Sequence, residues 1–232
     1  TGTTVALGNG STSATLVLGD SLSAVNQTIG GLVTNGSGTS NAVVGGNASI
    51  STLTVSNSSV ISYTGKLGGT GTNENNLGLT KAGTGTFTLA GTNTYDGDTT
   101  VSAGTLRING TNSGSGLVSV ASGATLGGTG SIAGAVNVTG ILSPGASVET
   151  LQTGALTMNS GSTFAYEVDS SASLGLGADL LIASSLSLDN VILNLTDIAG
   201  SSTAYTNGTV FTLFNYGGSA ITSGFAGIAD NS

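Results

Sequence analysis

The sequence predicts an all-β protein, a parallel β-helix (β-solenoid) with a C-terminal β cap or small β-sandwich-like end. Two alternating strands, at 85–89 and 104–108, begin on glycines nineteen residues apart. Glycine accounts for 40 of 232 residues and charged residues for 6%, which suits many turns and a sheet surface covered by hydroxyl groups. No apolar pattern with helical spacing continues for ten residues, so long helices are not expected.

One repeat unit occupies residues 78–109. An apolar residue stands at every second position of its two clearest strands, which predicts that Phe87, Leu89, Leu106 and Ile108 share one buried face. A unit of three short strands cannot bury its own apolar stripe, so it needs a similar unit above and below it. The sequence therefore predicts a stack of coils.

Each coil is predicted to contain about twenty residues. A polar turn over 91–97 and a third strand over 99–102 lie between the two alternating strands, and Gly123 stands nineteen residues after Gly104. With a rise of about 4.8 Å per coil, the first ~160 residues are predicted to form roughly eight coils and a rod about 40 Å long.

A longer motif lies within this unit. Residues 79–106 read LTKAGTGTFTLAGTNTYDGDTTVSAGTL and fit the pattern LTKxGxGTLTLxGxNTYxGxTTVxxGTL at nearly every fixed position. The stretch resembles the autotransporter passenger-associated β-strand repeat of bacterial surface proteins. GGTG at 127–130 and LSPG at 142–145 resemble the segment that follows such repeats, and the tail from residue 161 resembles their C-terminal region. The resemblance implies an exported, parallel β-helical surface protein, and it provides no ligand or catalytic residue.

The chain divides into three predicted segments. Residues 1–77 are expected to form N-terminal solenoid coils, residues 78–160 the repeat coils of the same solenoid, and residues 161–232 a C-terminal β cap region. Seven of the eleven acidic residues lie from residue 149 onward, and a charged exterior suits a terminal cap. Beyond the repeat unit, the predicted strands are 5–7, 15–18, 29–33, 42–44, 49–55, 60–63, 117–120, 124–126, 131–133, 135–138, 140–142, 163–168, 180–183, 186–188, 191–195, 209–214 and 220–228.

Two stretches depart from this strand pattern. Residues 65–77, GKLGGTGTNENNL, are polar and rich in glycine, and we expect a surface loop there. Leucines recur with partly helical spacing in residues 173–187, although two glycines interrupt them. A short helix or turn over 173–187 therefore stays open as an alternative to strands.

Charge and composition narrow the possible partners. The only basic residues, Lys66, Lys81 and Arg107, stand against eleven acids, so the net charge of −8 disfavours binding to nucleic acid or anionic lipid. Cysteine is absent, which removes disulfides and thiol chemistry. No apolar run approaches the ~18 residues of a transmembrane segment, and no signal peptide opens the chain. We therefore expect a processed or truncated form of an exported protein.

The sequence predicts no catalytic residue and no cofactor. Histidine and cysteine are absent, which removes the usual acid–base, nucleophilic and zinc-binding side chains. Asp96 and Asp98, separated by one glycine, are weak calcium candidates, because a turn offers carboxylates beside backbone carbonyls; aspartates that simply favour a turn are the alternative. Glu167 and Asp169 are expected on one face of a strand, roughly 7 Å apart, and resemble a glycosidase pair only in spacing.

The remaining side chains offer no clear binding site. Lys81 and Arg107 are expected at outward positions of the repeat, and the five tyrosines share no spacing that would build a sugar-stacking platform. The run Thr84-Gly-Thr86-Phe-Thr88 is typical of flat ice-binding arrays, but it is not expected to repeat in register from coil to coil.

The function predicted from these features is that of a non-enzymatic extracellular structural protein. The solenoid is expected to serve as a stalk, matrix or fibre subunit and to form a homo-oligomer or filament by head-to-tail pairing of its ends. An adhesin or glycan-binding passenger segment, which contacts a cell surface or a glycan, is the alternative. A polysaccharide-acting enzyme is a third and weaker interpretation.

Overall fold

The structure, a computed structural model, describes residues 2–145, 147–169, 171, 177–199, 210–219, 221 and 224–226. These residues contain 24 strands and no helix, and the strands pair in parallel. The predicted parallel β-helix is confirmed. The strands are β1 (Thr4–Leu7), β2 (Thr15–Leu18), β3 (Gln27–Ile29), β4 (Gly31–Thr34), β5 (Ala42–Gly45), β6 (Ser51–Ser56), β7 (Ile61–Tyr63), β8 (Lys66–Leu67), β9 (Leu77–Ala82), β10 (Thr86–Leu89), β11 (Thr92–Asn93), β12 (Thr99–Val101), β13 (Thr105–Ile108), β14 (Thr111–Asn112), β15 (Val118–Val120), β16 (Thr125–Gly128), β17 (Ser131–Ile132), β18 (Val136–Val138), β19 (Ile141–Pro144), β20 (Thr150–Met158), β21 (Thr163–Val168), β22 (Leu180–Leu188), β23 (Ile192–Asp197) and β24 (Phe214–Tyr216).

Successive strands form three faces of a coil. Face A contains β1, β4, β7, β10, β13, β16, β19, β21 and β23. Face B contains β2, β5, β8, β11, β14, β17 and β24, and face C contains β3, β6, β9, β12, β15 and β18. The long strands β20 and β22 each follow face B and continue along face C. The described chain thus makes nine coils, and eight steps of about 4.8 Å give a stack roughly 38 Å long.

The core is a set of inward columns in which like residues stack from coil to coil. On face A, register partners place one apolar side chain above the next through five coils, and all five are fully buried. These residues are Phe87, Leu106, Leu126, Leu142 and Phe164. Face C carries a second column of Val101, Val120, Val138 and Met158. Phe87, Leu89, Leu106 and Ile108 are all buried, as the alternation predicted.

Glycines stack at the corners that border face B. A Cβ added to Gly110 would overlap the carbonyl oxygen of Gly91, and one added to Gly130 would overlap that of Gly110. The same relation holds at the corner between faces B and C, where Gly116 lies against the carbonyl oxygen of Gly97. Because the backbones of neighbouring coils approach so closely here, only glycine fits. This explains much of the high glycine content.

Coil size varies along the stack more than the sequence predicted. Val5 pairs with Leu32 in the first step, whereas Leu126 pairs with Leu142 in a much shorter central step. Because the early coils are large, only seven coils are complete at the end of β20, so the prediction of eight was one too many. The prediction of a second nineteen-residue step, from Gly104 to Gly123, was also wrong. Thr105 pairs with Thr125, so this step is one residue longer.

Most predicted strands exist, but several boundaries differ. The polar turn over 91–97 contains β11, which forms the third side of its coil. Strand 29–33 is split by a corner at Gly30, and the two strands at 180–183 and 186–188 are one strand, β22. Strand β20 was not predicted. The loop over 65–77 is interrupted by β8 at Lys66–Leu67.

The C-terminal strands continue the same stack. Strand β21 pairs with β19 and β23 on face A, and β22 pairs with β20 and β24. The alternative helix over 173–187 is replaced by β22 from Leu180 onward, while residues 173–176 lie outside the described residues, as does most of the strand predicted over 220–228. The division at residues 77 and 160 stays a prediction about sequence character, and β9 crosses the first of these boundaries.

The stacked glycines give a direct test of the corner geometry. Replacing Gly110 with alanine should lower the free energy of unfolding by about 1–3 kcal/mol, because the added methyl group overlaps the Gly91 carbonyl oxygen in the preceding coil. The midpoint of urea unfolding, followed by circular dichroism, measures this loss. Gly224→Ala is the matched control, since an added Cβ there meets no atom within 4 Å. Equal midpoints for the two variants would contradict the steric explanation.

Candidate functional site

Lys81 lies inside the solenoid and not at the outward position expected from the sequence. Its side chain is fully buried and stands in an inward column between Val55 and Val101. The Nζ atom donates to the carbonyl oxygens of Ala82, at 2.6 Å, Gly83, at 2.9 Å, and Ala103, at 3.2 Å. Burial lowers the pKa of Lys81 to about 8. The lysine therefore joins the corners of two coils and offers no basic group to a substrate.

Three of the tyrosines are buried in the core. Tyr63, Tyr95 and Tyr166 are at most 1% exposed, so they form no sugar-stacking platform. The Tyr95 hydroxyl lies 2.7 Å from Thr99 Oγ1, and the Asn112 amide donates to it at 3.2 Å. Burial raises the pKa of Tyr95 to about 12. These tyrosines stabilise the interior.

The weak calcium candidates Asp96 and Asp98 lie at the corner between faces B and C, with both side chains exposed. Asp98 Oδ1 accepts from the Leu117 amide at 2.9 Å, and Asp96 Oδ1 accepts from the Ser115 amide at 3.3 Å. Each carboxylate thus bonds the next coil. The geometry accounts for both aspartates as turn residues that hold neighbouring coils together, and calcium binding stays a prediction.

The expected acidic pair, Glu167 and Asp169, does not share a strand, because β21 ends at Val168 and Asp169 accepts from Ser171. The structure brings a different carboxylate to Glu167. Asp179 is 1% exposed, and its two oxygens accept from the backbone amides of Glu149, at 3.0 Å, and Glu167, at 2.8 Å.

Asp179 was not singled out from the sequence, because its partner Glu149 lies in the preceding coil and its partner Glu167 lies at the end of the preceding strand, β21. Burial raises the pKa of Asp179 to about 6, and the neighbouring Glu167 and Glu149 carboxylates add to the rise, while the two amide bonds oppose it. Through the Glu149 amide, Asp179 links its own coil to the preceding one.

Outward side chains form polar ladders. On face C, one hydroxyl or amide side chain per coil stands in register through eight coils. Its members are Thr28, Thr54, Thr80, Thr100, Ser119, Asn137, Thr157 and Ser187. On face A, Thr86 stands in register with Thr105 and Thr125, so one threonine of the run Thr84-Gly-Thr86-Phe-Thr88 repeats from coil to coil. Thr88 instead is followed by Arg107 and Gly127, so no second threonine column forms there.

Face B carries the concave surface that best qualifies as a candidate site. Two clefts of ≈ 340 and ≈ 330 Å³ lie on either side of a short outward ladder formed by Thr111, Ser131 and Gln152. We call the two clefts and this ladder the face B groove. Its lining consists of uncharged residues, many with hydroxyl or amide side chains. The groove lacks the acids and bases that catalysis would need, but it can accept hydrogen-bonding ligands.

Comparison with known families identifies part of this chain. Residues 79–108 match the family model of the passenger-associated-transport-repeat. The resemblance seen in the sequence is confirmed over this stretch. The passenger-associated-transport-repeat runs from β9 to the end of β13 and includes Lys81, Tyr95, Asp96 and Asp98. Comparison with curated proteins found no match. The described residues include no helix able to span a membrane.

The lysine of the passenger-associated-transport-repeat gives a pH test. An unfolded lysine has a pKa near 10.5 and Lys81 about 8, so the unfolded chain binds more protons between these values. The free energy of unfolding should therefore rise from pH 8 to pH 10.5, by at most about 3 kcal/mol. Chemical denaturation at several pH values measures this. Lys81→Met should remove the rise, whereas Lys66→Met, at an outward position on β8, should keep it. A rise that survives Lys81→Met would assign it to another group.

Asp179 gives a second pH test of opposite direction. Its pKa of about 6 in the folded protein exceeds the ordinary 3.8, so the folded state binds the proton first. The free energy of unfolding should increase as the pH falls from above 6 towards 4, because the folded state takes up a proton there. This gain should disappear when the pH is raised through 6. Thermal unfolding at pH 7 and pH 5 measures the change. Asp179→Asn should abolish it, while Asp189→Asn, at an exposed position, should not. The idea fails if both variants keep the full dependence.

Proposed function

We propose that the chain is an exported, non-enzymatic structural protein, a rigid extracellular β-solenoid that serves as a stalk, matrix or fibre subunit. The passenger-associated-transport-repeat supports export to the bacterial surface, and the stacked coils support a spacing role. Carboxylates are the only acid–base groups present in number, and those at the corners bond backbone amides of neighbouring coils. This supports a role without catalysis.

Head-to-tail assembly is the mechanism that we propose for this role. The observation that carries it is the exposure of inward-facing apolar residues at both ends of the stack. At the N-terminal end, a cavity of ≈ 610 Å³ is lined by Val5, Leu16 and Val25. At the other end, Leu195 pairs with the buried Tyr166, and therefore points inward, yet it is 59% exposed. Each end also presents strand edges to which a further coil can pair.

The sizes of the end coils support the same mechanism. The step from Val5 to Leu32 at the N-terminal end and the step from Phe164 to Leu193 at the other end take up nearly equal lengths of chain. The central step from Leu126 to Leu142 is much shorter. The two end coils are therefore alike in the length of chain that they use. A heterologous contact between unlike ends propagates into a filament, because each added copy presents a new free end.

Two blocked variants test the assembly. Val5→Lys places a charge at the N-terminal end and Leu195→Lys places one at the C-terminal end, so each variant alone should stay monomeric. Their equimolar mixture should form dimers and nothing larger, because each contributes its one intact end. Analytical ultracentrifugation and electron microscopy of the full chain measure this, with linear oligomers expected for the unmodified protein. Thr100→Lys, at an exposed outward position of β12 in the middle of the stack, is the control. Monomers of the unmodified chain at every concentration would refute the mechanism.

A further inference from the structure

The face B groove combines a polar ladder with glycines on both sides of it. The first cleft is bordered by Gly110 and Gly130, which belong to the stacked glycines of one corner. The second cleft is bordered by Gly154, at the opposite corner, where an added Cβ would lie 2.5 Å from the Gly134 carbonyl oxygen. Glycine is therefore fixed at these positions by coil packing. As a consequence, a ligand can approach the backbone on both sides of the ladder.

The groove offers hydrogen-bonding groups that the protein does not use. Among the described residues, the side chains of Thr111, Ser131 and Gln152 have no hydrogen-bond partner. Thr129 and Thr150 add two further hydroxyl groups to the lining. Hydroxyl groups both donate and accept, and the glutamine amide does the same. The complementary ligand is one that is itself rich in groups that donate and accept.

Charge restricts the ligand further. The groove lining contains no charged residue. The acids nearest to it in sequence, Glu149 and Asp179, precede Thr150 and Leu180, and the chain carries a net charge of −8. An anionic polymer would be repelled, and a cationic one would find no carboxylate in the lining to pair with. An uncharged ligand fits best.

The ladder also sets a length. Thr111, Ser131 and Gln152 occupy three successive coils, which span about 10 Å at ~4.8 Å per step. A polymer that repeats a hydroxyl-bearing unit over a similar distance can place successive units on successive rungs. A short stretch of polysaccharide meets this requirement.

We propose that the face B groove binds an uncharged polysaccharide, laid along the solenoid axis over the Thr111–Ser131–Gln152 ladder. The site goes beyond the structural role and does not depend on head-to-tail assembly. Without an aromatic platform each sugar unit is held weakly, so binding is expected for chains long enough to contact every rung of the ladder and to fade for shorter oligosaccharides. The groove would then anchor the protein in a glycan layer.

Native gel electrophoresis in the presence of soluble polysaccharides tests the proposal. Dextran, hydroxyethyl cellulose and galactomannan serve as uncharged probes, and polygalacturonate serves as the anionic comparison. At least one uncharged probe should retard the unmodified protein, and polygalacturonate should not. The proposal is overturned if no uncharged probe retards it, or if polygalacturonate alone does.

Two matched variants locate the site. Ser131→Tyr fills both clefts and should reduce the association constant at least tenfold. Ser119→Tyr makes the same change at an outward position on face C and should leave it unchanged. Equal losses in the two variants would overturn the assignment to face B. Circular dichroism confirms folding, and if Ser131→Tyr does not fold, Gln152→Ala replaces it, with retention of full affinity as the refuting result.

Discussion

Register between coils is the constraint on which the rest of this structure depends. Each coil must place an apolar side chain above the one below it, as Phe87, Leu106 and Leu126 do. It must also bring its corners so close to the preceding coil that a side chain at Gly110 or Gly116 has no room. The apolar columns hold neighbouring coils together, and the close contacts at the corners fix where each coil lies on the one below. Together they allow coils of very different lengths to stack, because the additional residues of a longer coil lie in loops and leave the register of the inward columns unchanged.

Polar groups inside the stack obey the same constraint. Lys81 occupies a position in its column where neighbouring coils have an apolar residue. It is tolerated there because its Nζ atom donates hydrogen bonds to three carbonyl oxygens at the corners of two successive coils. Asn93 also lies fully buried, where its Oδ1 accepts from the Leu67 amide at 3.0 Å. Each group bonds the backbone of a neighbouring coil and therefore adds to the register. The composition, with few charges and much asparagine and threonine, reflects this use of neutral groups between coils.

The sequence predicted what depends on local pattern and missed what depends on stacking. The alternation of apolar and polar residues was sufficient to place Phe87 and Ile108 in the core, because this pattern can be recognised within one strand without knowing which strands pair with it. It failed for Lys81, whose position is inward by alternation but whose charge argued for solvent. The link from Asp179 to the Glu149 amide could not be found either, because coil size changes from step to step and a partner in the preceding coil cannot be located by counting residues. The face B groove is lined by residues of several successive coils, which no single-coil pattern brings together.

The lateral faces and the two ends of the stack differ because backbone hydrogen bonds between coils run parallel to the solenoid axis. On the three faces the strands have partners on both sides, so lateral surfaces offer side chains only, and these are mostly small and neutral. Within the part of the chain that the structure describes, the outermost coils have strand edges without a partner strand, and the inward residues Val5 and Leu195 there are only partly covered. Attraction through the backbone is therefore directed along the axis, while attraction through side chains is directed sideways. The two proposed activities, extension at the ends and ligand binding on a lateral face, therefore use different parts of the solenoid and do not block each other.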